Sequence, residues 1–204
     1  MAVSGRLATI TVAVLATAVL LAGCAGPNTI TPTTASQSPS STPTATTVGT
    51  PKTPDEAWSS ATRTINSFVK VQYEIQADTG ANPERMDPYA TGSALEDVNQ
   101  VAAGLAEKQI TTTGKPKWTP NASVSTFGTL TLQAGSTIPN GIAYIRGCFD
   151  VSNQVPAYAD GSRAPVSDLR IYPVQFTVRY IPDDKAWKVD ALQSLAGQQG
   201  APAC

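Results

Sequence analysis

Histidine is absent from this 204-residue chain, cysteine occurs three times, and charged side chains make up only 14% of it. The first absence excludes Ser-His-Asp and Cys-His nucleophilic systems, and every metal site that needs an imidazole. The shortage of charge is also restrictive. Lysine and arginine number 14 against 15 acidic residues, a net −1, and nowhere do they cluster densely enough to grip nucleic acid or a lipid surface. Nucleic acid is therefore not an expected partner, and no cofactor is expected.

Charge is missing altogether between Arg6 and Lys52. From Leu7 to Ala22 this stretch is dominated by Ala, Val, Leu and Ile and ends in small residues, the pattern of an export signal. It closes on Leu21-Ala22-Gly23-Cys24, which resembles a bacterial lipobox, cut by signal peptidase II before a cysteine that carries diacylglycerol. One acyl chain holds a protein on a bilayer only marginally, whereas two hold it stably. The expectation is a signal peptide over residues 1–23 and a mature protein anchored through Cys24 at the extracytoplasmic face of the cell membrane. The competing reading is an uncleaved spanning helix. It needs about 20 apolar residues, and no basic stop-transfer cluster follows the run. A conventional cleaved signal is a third reading.

Residues 24–52 consist almost wholly of Thr, Ser, Pro, Ala and Gln, without an aromatic or acidic side chain. Such a segment buries too little apolar surface to offset its ordering entropy, so a disordered linker is expected. Fully extended it would reach roughly 90 Å, enough to lift a domain off the membrane. Residues 53–204 have the length of a single domain, large enough to build a hydrophobic core without a structural metal.

That domain opens on Thr53-Pro54-Asp55-Glu56, a capping box with proline at the first helical position. Trp58, Ala61, Ile65, Phe68, Val69 and either Gln72 or Tyr73 then recur at helical spacing up to about Asp78. A short helical turn is expected at Asn82-Pro83-Glu84-Arg85. A second helix is expected from the box Ser93-Ala94-Leu95-Glu96, with Leu95, Val98, Ala102 and Leu105 inward and an end near Lys108. Past Gly114 the period changes to two. Strands are expected over 122–133, 142–152, 169–181 and 186–195, separated by turns at Pro139-Asn140-Gly141, Asp160-Gly161 and Pro182-Asp183-Asp184. Helices followed by hairpin-linked strands define an α+β domain, its helices packed on one face of an antiparallel sheet.

Several of these residues carry a resemblance. They are Trp58 in the long first helix, Tyr89-Ala90-Thr91-Gly92-Ser93-Ala94-Leu95 opening the second, and Thr113-Gly114 before the strands. Cys148-Phe149-Asp150 and Trp187-Lys188-Val189 complete the set. Over residues 53–195 the chain resembles the NTF2-like, or cystatin-like cone, lipoproteins of actinobacteria. The resemblance implies a strongly curved antiparallel sheet wrapped around a long helix, often enclosing a pocket. Enzymes, binding modules and inert dimerisation domains all use that fold, so it does not by itself give a function.

With Cys24 lipidated, Cys148 and Cys204 form the one internal pair left, and thiols outside the membrane tend to be oxidised. A Cys148–Cys204 disulfide is expected, closing a loop worth about 4 kcal/mol and pinning the Gly-rich tail onto a long strand. Two free thiols, or a Cys204 pairing between molecules, are the alternatives. Steroid-isomerase-like proton transfer would need a carboxylate base in an apolar pocket facing a tyrosine. The candidates are Asp150 with Tyr144 or Tyr172. Arg146 and Asp150 also read as a plain charge pair on one strand face. Alternation assigns Tyr172, Val174, Phe176, Val178 and Tyr180 to core or pocket wall. Trp118, between Pro116 and Pro120, is expected on a rim. The loop over 153–165, with Tyr158 and Arg163, is the longest connection between strands.

The favoured function is a non-catalytic envelope lipoprotein that binds a partner protein or a small ligand. An envelope enzyme using Asp150, or a prophage-type lipoprotein that blocks superinfection, are the alternatives. A hollow fold lined by Tyr73, Tyr89 and Trp118 would favour a ligand. A filled fold would favour a homodimer through the sheet face.

Overall fold

The computed structural model describes residues 48–204; the expected signal segment, Cys24 and most of the linker lie outside them. Helix α1 spans Pro54–Ala77. The Thr53 hydroxyl accepts the backbone N–H of Glu56 at 3.2 Å, while the Glu56 carboxylate accepts that of Lys52 at 2.7 Å. The second half of the capping box is thus displaced by one residue, but both orphan donors are satisfied. Ala57, Ala61, Ile65, Phe68, Val69, Val71 and Ile75 form the buried stripe, with Trp58 and Tyr73 half-buried at its margins.

A 3₁₀ turn at Pro83–Met86 leads to α2, Gly92–Lys108. The box expected at Ser93 does not form. The helix starts one residue earlier, behind Thr91, which makes no side-chain cap. The Ser93 hydroxyl instead donates to the Asp190 carbonyl at 3.4 Å. Gly92 has φ +53°, and a Cβ there would lie 2.7 Å from an Asp190 carboxylate oxygen, so the helix start is fitted against a strand rather than capped by its own sequence. Ala94, Val98 and Ala102 are buried, while Leu95 and Leu105 are only half-buried.

The sheet is antiparallel. Strand β4 (Thr137–Asp150) is its longest, flanked on one side by β6 (Ile171–Ile181), with β7 (Ala186–Ser194) outside that. Its other side is shared end to end by two short strands, β3 (Thr126–Thr131) and β2 (Lys117–Pro120). Strands β1 (Thr111–Thr113) and β5 (Val155–Ala157) form a separate two-stranded ribbon. Strict alternation turns Ala143, Ile145, Gly147 and Phe149 of β4, and Val174, Phe176, Val178 and Tyr180 of β6, toward the helices. Each large apolar side chain buried there contributes about 1.5–3 kcal/mol. Phe68 of α1 meets Phe176 edge-on, 6.0 Å between ring centroids. The architecture is the α+β arrangement expected.

Pro139-Asn140-Gly141 is not a turn. It lies inside β4 as an irregularity, where Gly128 faces Ile142 but Leu130 faces Ile138. Asn140 takes φ 56° there; a residue that tolerates the left-handed region serves a bulge as well as a hairpin. The reversal falls earlier, where Leu132 N–H donates to Ser136 O and Gly135 N–H to Leu132 O, both at 2.9 Å. The turns at 160–161 and 182–184 sit where expected, closed by Gly161 N–H to Tyr158 O at 2.9 Å and Lys185 N–H to Pro182 O at 3.1 Å. Cys148 and Cys204 are joined, Cα atoms 5.7 Å apart. The tail is also held by Leu195 N–H on Pro173 O at 2.8 Å.

Candidate functional site: a groove between the first helix and the edge strand

Asn66, Val69, Lys70, Tyr73 and Glu74 recur at spacings of three and four, so they share a stripe of α1 beside the core stripe. Facing them runs Lys115-Pro116-Lys117-Trp118, which leads into edge strand β2. The two segments enclose an open groove of about 450 Å³ lined by those nine residues. Val69, Tyr73, Pro116 and Trp118 make it apolar and aromatic; Lys70, Lys115 and Glu74 bring charge to it, while Lys117, paired in register with the outer-face Asp150, borders it from the other side of the strand.

Trp118 is placed by a close approach. Trp118 pairs in register with Phe149, and Gly147, two residues earlier in the same inward-facing row of β4, pairs with Pro120. A Cβ at 147 would overlap the Thr119 carbonyl and lie 2.6 Å from the Trp118 ring. The bare glycine lets β2 close on β4 and lets the indole reach Phe176, 4.9 Å away and edge-on at 73°. So Trp118 is half-buried, part core and part groove wall, rather than a free rim residue. Its indole N–H is buried without an acceptor, and such an unmet donor costs about 1–3 kcal/mol.

The other sequence candidates are dispersed. Tyr89 lies at the opposite edge of the sheet, where its carbonyl accepts Val189 N–H at 2.8 Å. Tyr144 and Asp150 are on the outer face of β4, while Tyr172 is on the helix-facing side, 6.0 Å from the Phe149 ring. Asp150 and Tyr172 therefore do not share a site. The Asp150 carboxylate is half-exposed on the outer face of the sheet, and its pKa is lowered, chiefly because the Ser152 backbone N–H donates to it at 2.8 Å, with Lys117 and Arg170 adding smaller attractions. It lacks the apolar enclosure that raises a catalytic carboxyl. Burial pushes the Tyr172 phenol up instead. Arg146 does not pair with Asp150; its Nε donates across the sheet to Gln175 at 2.8 Å. Tyr158 and Arg163 belong to the ribbon end of the molecule, where Ala157 bridges Arg163.

A second concavity of about 210 Å³ opens there, lined by Val101, Leu105, Val166, Leu169 and Arg170 among others. Arg170 donates to the Gln154 carbonyl at 2.6 Å. No cluster of three metal-ligating side chains occurs among the described residues, and no helix among them is long and apolar enough to cross a membrane.

Of the groove residues, Tyr73 and Trp118 were pocket or rim candidates from the sequence and Val69 was read as part of the apolar helix stripe; Asn66, Lys70, Glu74, Lys115, Pro116 and Lys117 were not assigned to a site. The available signal was the tetrapeptide Lys115-Pro116-Lys117-Trp118, an aromatic residue framed by cations. Pro116 within it and Pro120 just after it hide the two-residue period that would have marked it as a strand.

No protein-family model and no curated protein matches the chain. Among solved structures, the intermembrane space region of the chloroplast protein ARC6 is similar at a TM-score of 0.43 and 11% identity, covering 66% of this chain and 92% of that one. That likeness carries no functional argument.

Proposed function

We propose that this chain is a cell-envelope lipoprotein, held at the outer face of the cytoplasmic membrane by a diacylglyceryl group on Cys24, whose folded part is a non-catalytic binding domain of the NTF2-like type. The lipobox-like Leu21-Ala22-Gly23-Cys24 and the uncharged stretch after it support the anchor. The Cys148–Cys204 pair suits an oxidising compartment. The groove carries the binding reading: Tyr73 and Trp118 line one open, largely apolar cavity of a size suited to a small molecule. A small ligand is favoured over a sheet-face homodimer, because the outer face of β4 and β6 interleaves Arg146, Asp150, Gln175 and Arg179 with Ile142, Tyr144 and Ile171 and so presents no continuous apolar patch. An enzyme built on Asp150 draws no support from a hydrogen-bonded carboxylate on the outer face of the sheet with a lowered pKa.

Two measurements test the two halves. Cells fed a labelled fatty acid should label the wild-type protein and retain it in the membrane fraction. Cys24→Ala should lose the label, and equal labelling of both would refute the anchor. For the binding half, a fragment library is titrated into the ¹⁵N-labelled full-length chain in non-ionic detergent. Hits should move the Trp118 indole signal, and a groove that accepts no compound would remove the ligand reading.

A further inference from the structure

Taking that groove as the binding site, we infer that its ligand is a small anion built on a hydroxyl-bearing ring: an acidic saccharide unit whose charge comes from carboxylate or phosphate. The chain as a whole carries a net −1, yet three of its seven lysines line this one groove against a single acid, Glu74. Lys70 is partly compensated by Glu74, 3.7 Å away at an exposed position. Lys117 faces Asp150 across the strand register and shares its charge with that carboxylate. Lys115 enters no ion pair among the described residues. A cationic groove on a weakly anionic molecule concentrates anions by focusing its field.

Charge alone would admit any anion; the remaining lining is more selective. Tyr73 and Trp118 offer aromatic faces, with Val69 and Pro116 beside them, to the apolar side of a ring. Asn66 and the Tyr73 phenol are neutral hydrogen-bonding groups on the lining. Hydroxyl or carboxylate oxygens entering the groove pair with these two groups. A fatty acid would leave these groups unmet, and a bare inorganic anion would leave the aromatic surface uncovered. The volume of about 450 Å³ accommodates one or two sugar rings.

The test is a titration of the ¹⁵N-labelled full-length chain in non-ionic detergent with galacturonate disaccharide and, separately, with glucose 1-phosphate. Maltose serves as the neutral control and benzoate as the non-saccharide anion. At least one acidic sugar should shift the Trp118 indole signal while those of Trp58 and Trp187 stay in place, with an affinity that falls as salt rises. The arm that responds identifies carboxylate or phosphate as the charge. Lys70→Gln with Lys115→Gln, both at exposed positions, should weaken binding about tenfold and leave the rest of the spectrum unchanged. Maltose binding as tightly as the acidic sugars, preference for benzoate, silence toward both acidic sugars, or an unaltered affinity in the lysine variant would each overturn the inference. Neutral fragments seated at Trp118 would still leave the groove standing as a binding site, which separates this failure from failure of the binding reading itself.

Discussion

Replacing Gly147 by Ala puts one methyl group where β2 closes on β4, and the structure gives the cost. The new carbon would overlap the Thr119 carbonyl oxygen and lie 2.6 Å from the Trp118 ring and 2.9 Å from the Pro120 Cα. Two of these three neighbours are backbone, so no rotamer change relieves the clash; β2 must move off β4. Overpacking of this kind costs about 1–3 kcal/mol. Pulling Trp118 away from Phe176, its partner at 4.9 Å, costs a further 0.5–1.5 kcal/mol or so. Alanine stiffens the unfolded chain and returns about 0.4–1 kcal/mol. The net expectation is a destabilisation of roughly 2–3 kcal/mol, read as a lower urea midpoint with an unchanged slope. The Trp118 indole signal should shift in the folded variant, because the groove wall has moved with the strand. A variant within about 0.5 kcal/mol of wild type, with Trp118 unmoved, would refute the claim that Gly147 sets the position of Trp118.

Two further outcomes follow from the outer strands. Removing the disulfide with Cys148→Ala and Cys204→Ala opens a loop with a sequence separation of 56, worth about 4 kcal/mol in the chain-entropy model. The freed tail frays in the native state and recovers part of this, so equilibrium unfolding should show a loss of about 2–4 kcal/mol; no loss, or a Cys148 that reacts with alkylating reagents in the oxidised protein, would contradict the pairing. Burial raises the Tyr172 phenol above its ordinary value near 10, so as pH climbs past that value the unfolded chain releases this proton first. Stability should therefore fall with rising pH from about 10 up to the raised folded-state value. Tyr172→Phe should flatten that part of the profile, and identical alkaline slopes in the two proteins would show that the phenol is not desolvated.

The helices were readable because their signals are local. Thr53, Pro54 and Glu56 lie within one turn, and the Ala61-Ile65-Phe68-Val69 spacing needs no partner to be recognised. β6 was readable because both of its faces keep the two-residue period over eleven residues. Where the outcome depends on a partner strand, sequence logic failed in definite ways. Asn140 permits a hairpin turn and a bulge equally, and only the register against β3 decides between them. Ser93 could cap a helix, but Asp190 lies close enough to engage its hydroxyl. Strands of three or four residues, such as β1, β2 and β5, are too short for alternation to emerge.

The groove shows the same division at the level of function. Its α1 side follows a helical stripe and could have been drawn from the sequence once Tyr73 was placed. Its β2 side could not, because Lys115 and Trp118 reach Tyr73 only through a pairing set by Gly147, about thirty residues further along the chain. A single missing side chain on one strand thus decides whether an aromatic residue on another faces solvent, core or ligand. Tryptophan between two prolines suggests a rim by composition, yet its ring is drawn inward onto Phe176 while its neighbours Lys115 and Pro116 stay at the opening. The aromatic floor of the groove is therefore anchored in the core, while Lys115 and Lys117 sit at the start of an edge strand with one free side and Lys70 on the facing helix. That pairing of a fixed floor with an adjustable charged lip suits recognition of a ring that carries a charge at its periphery.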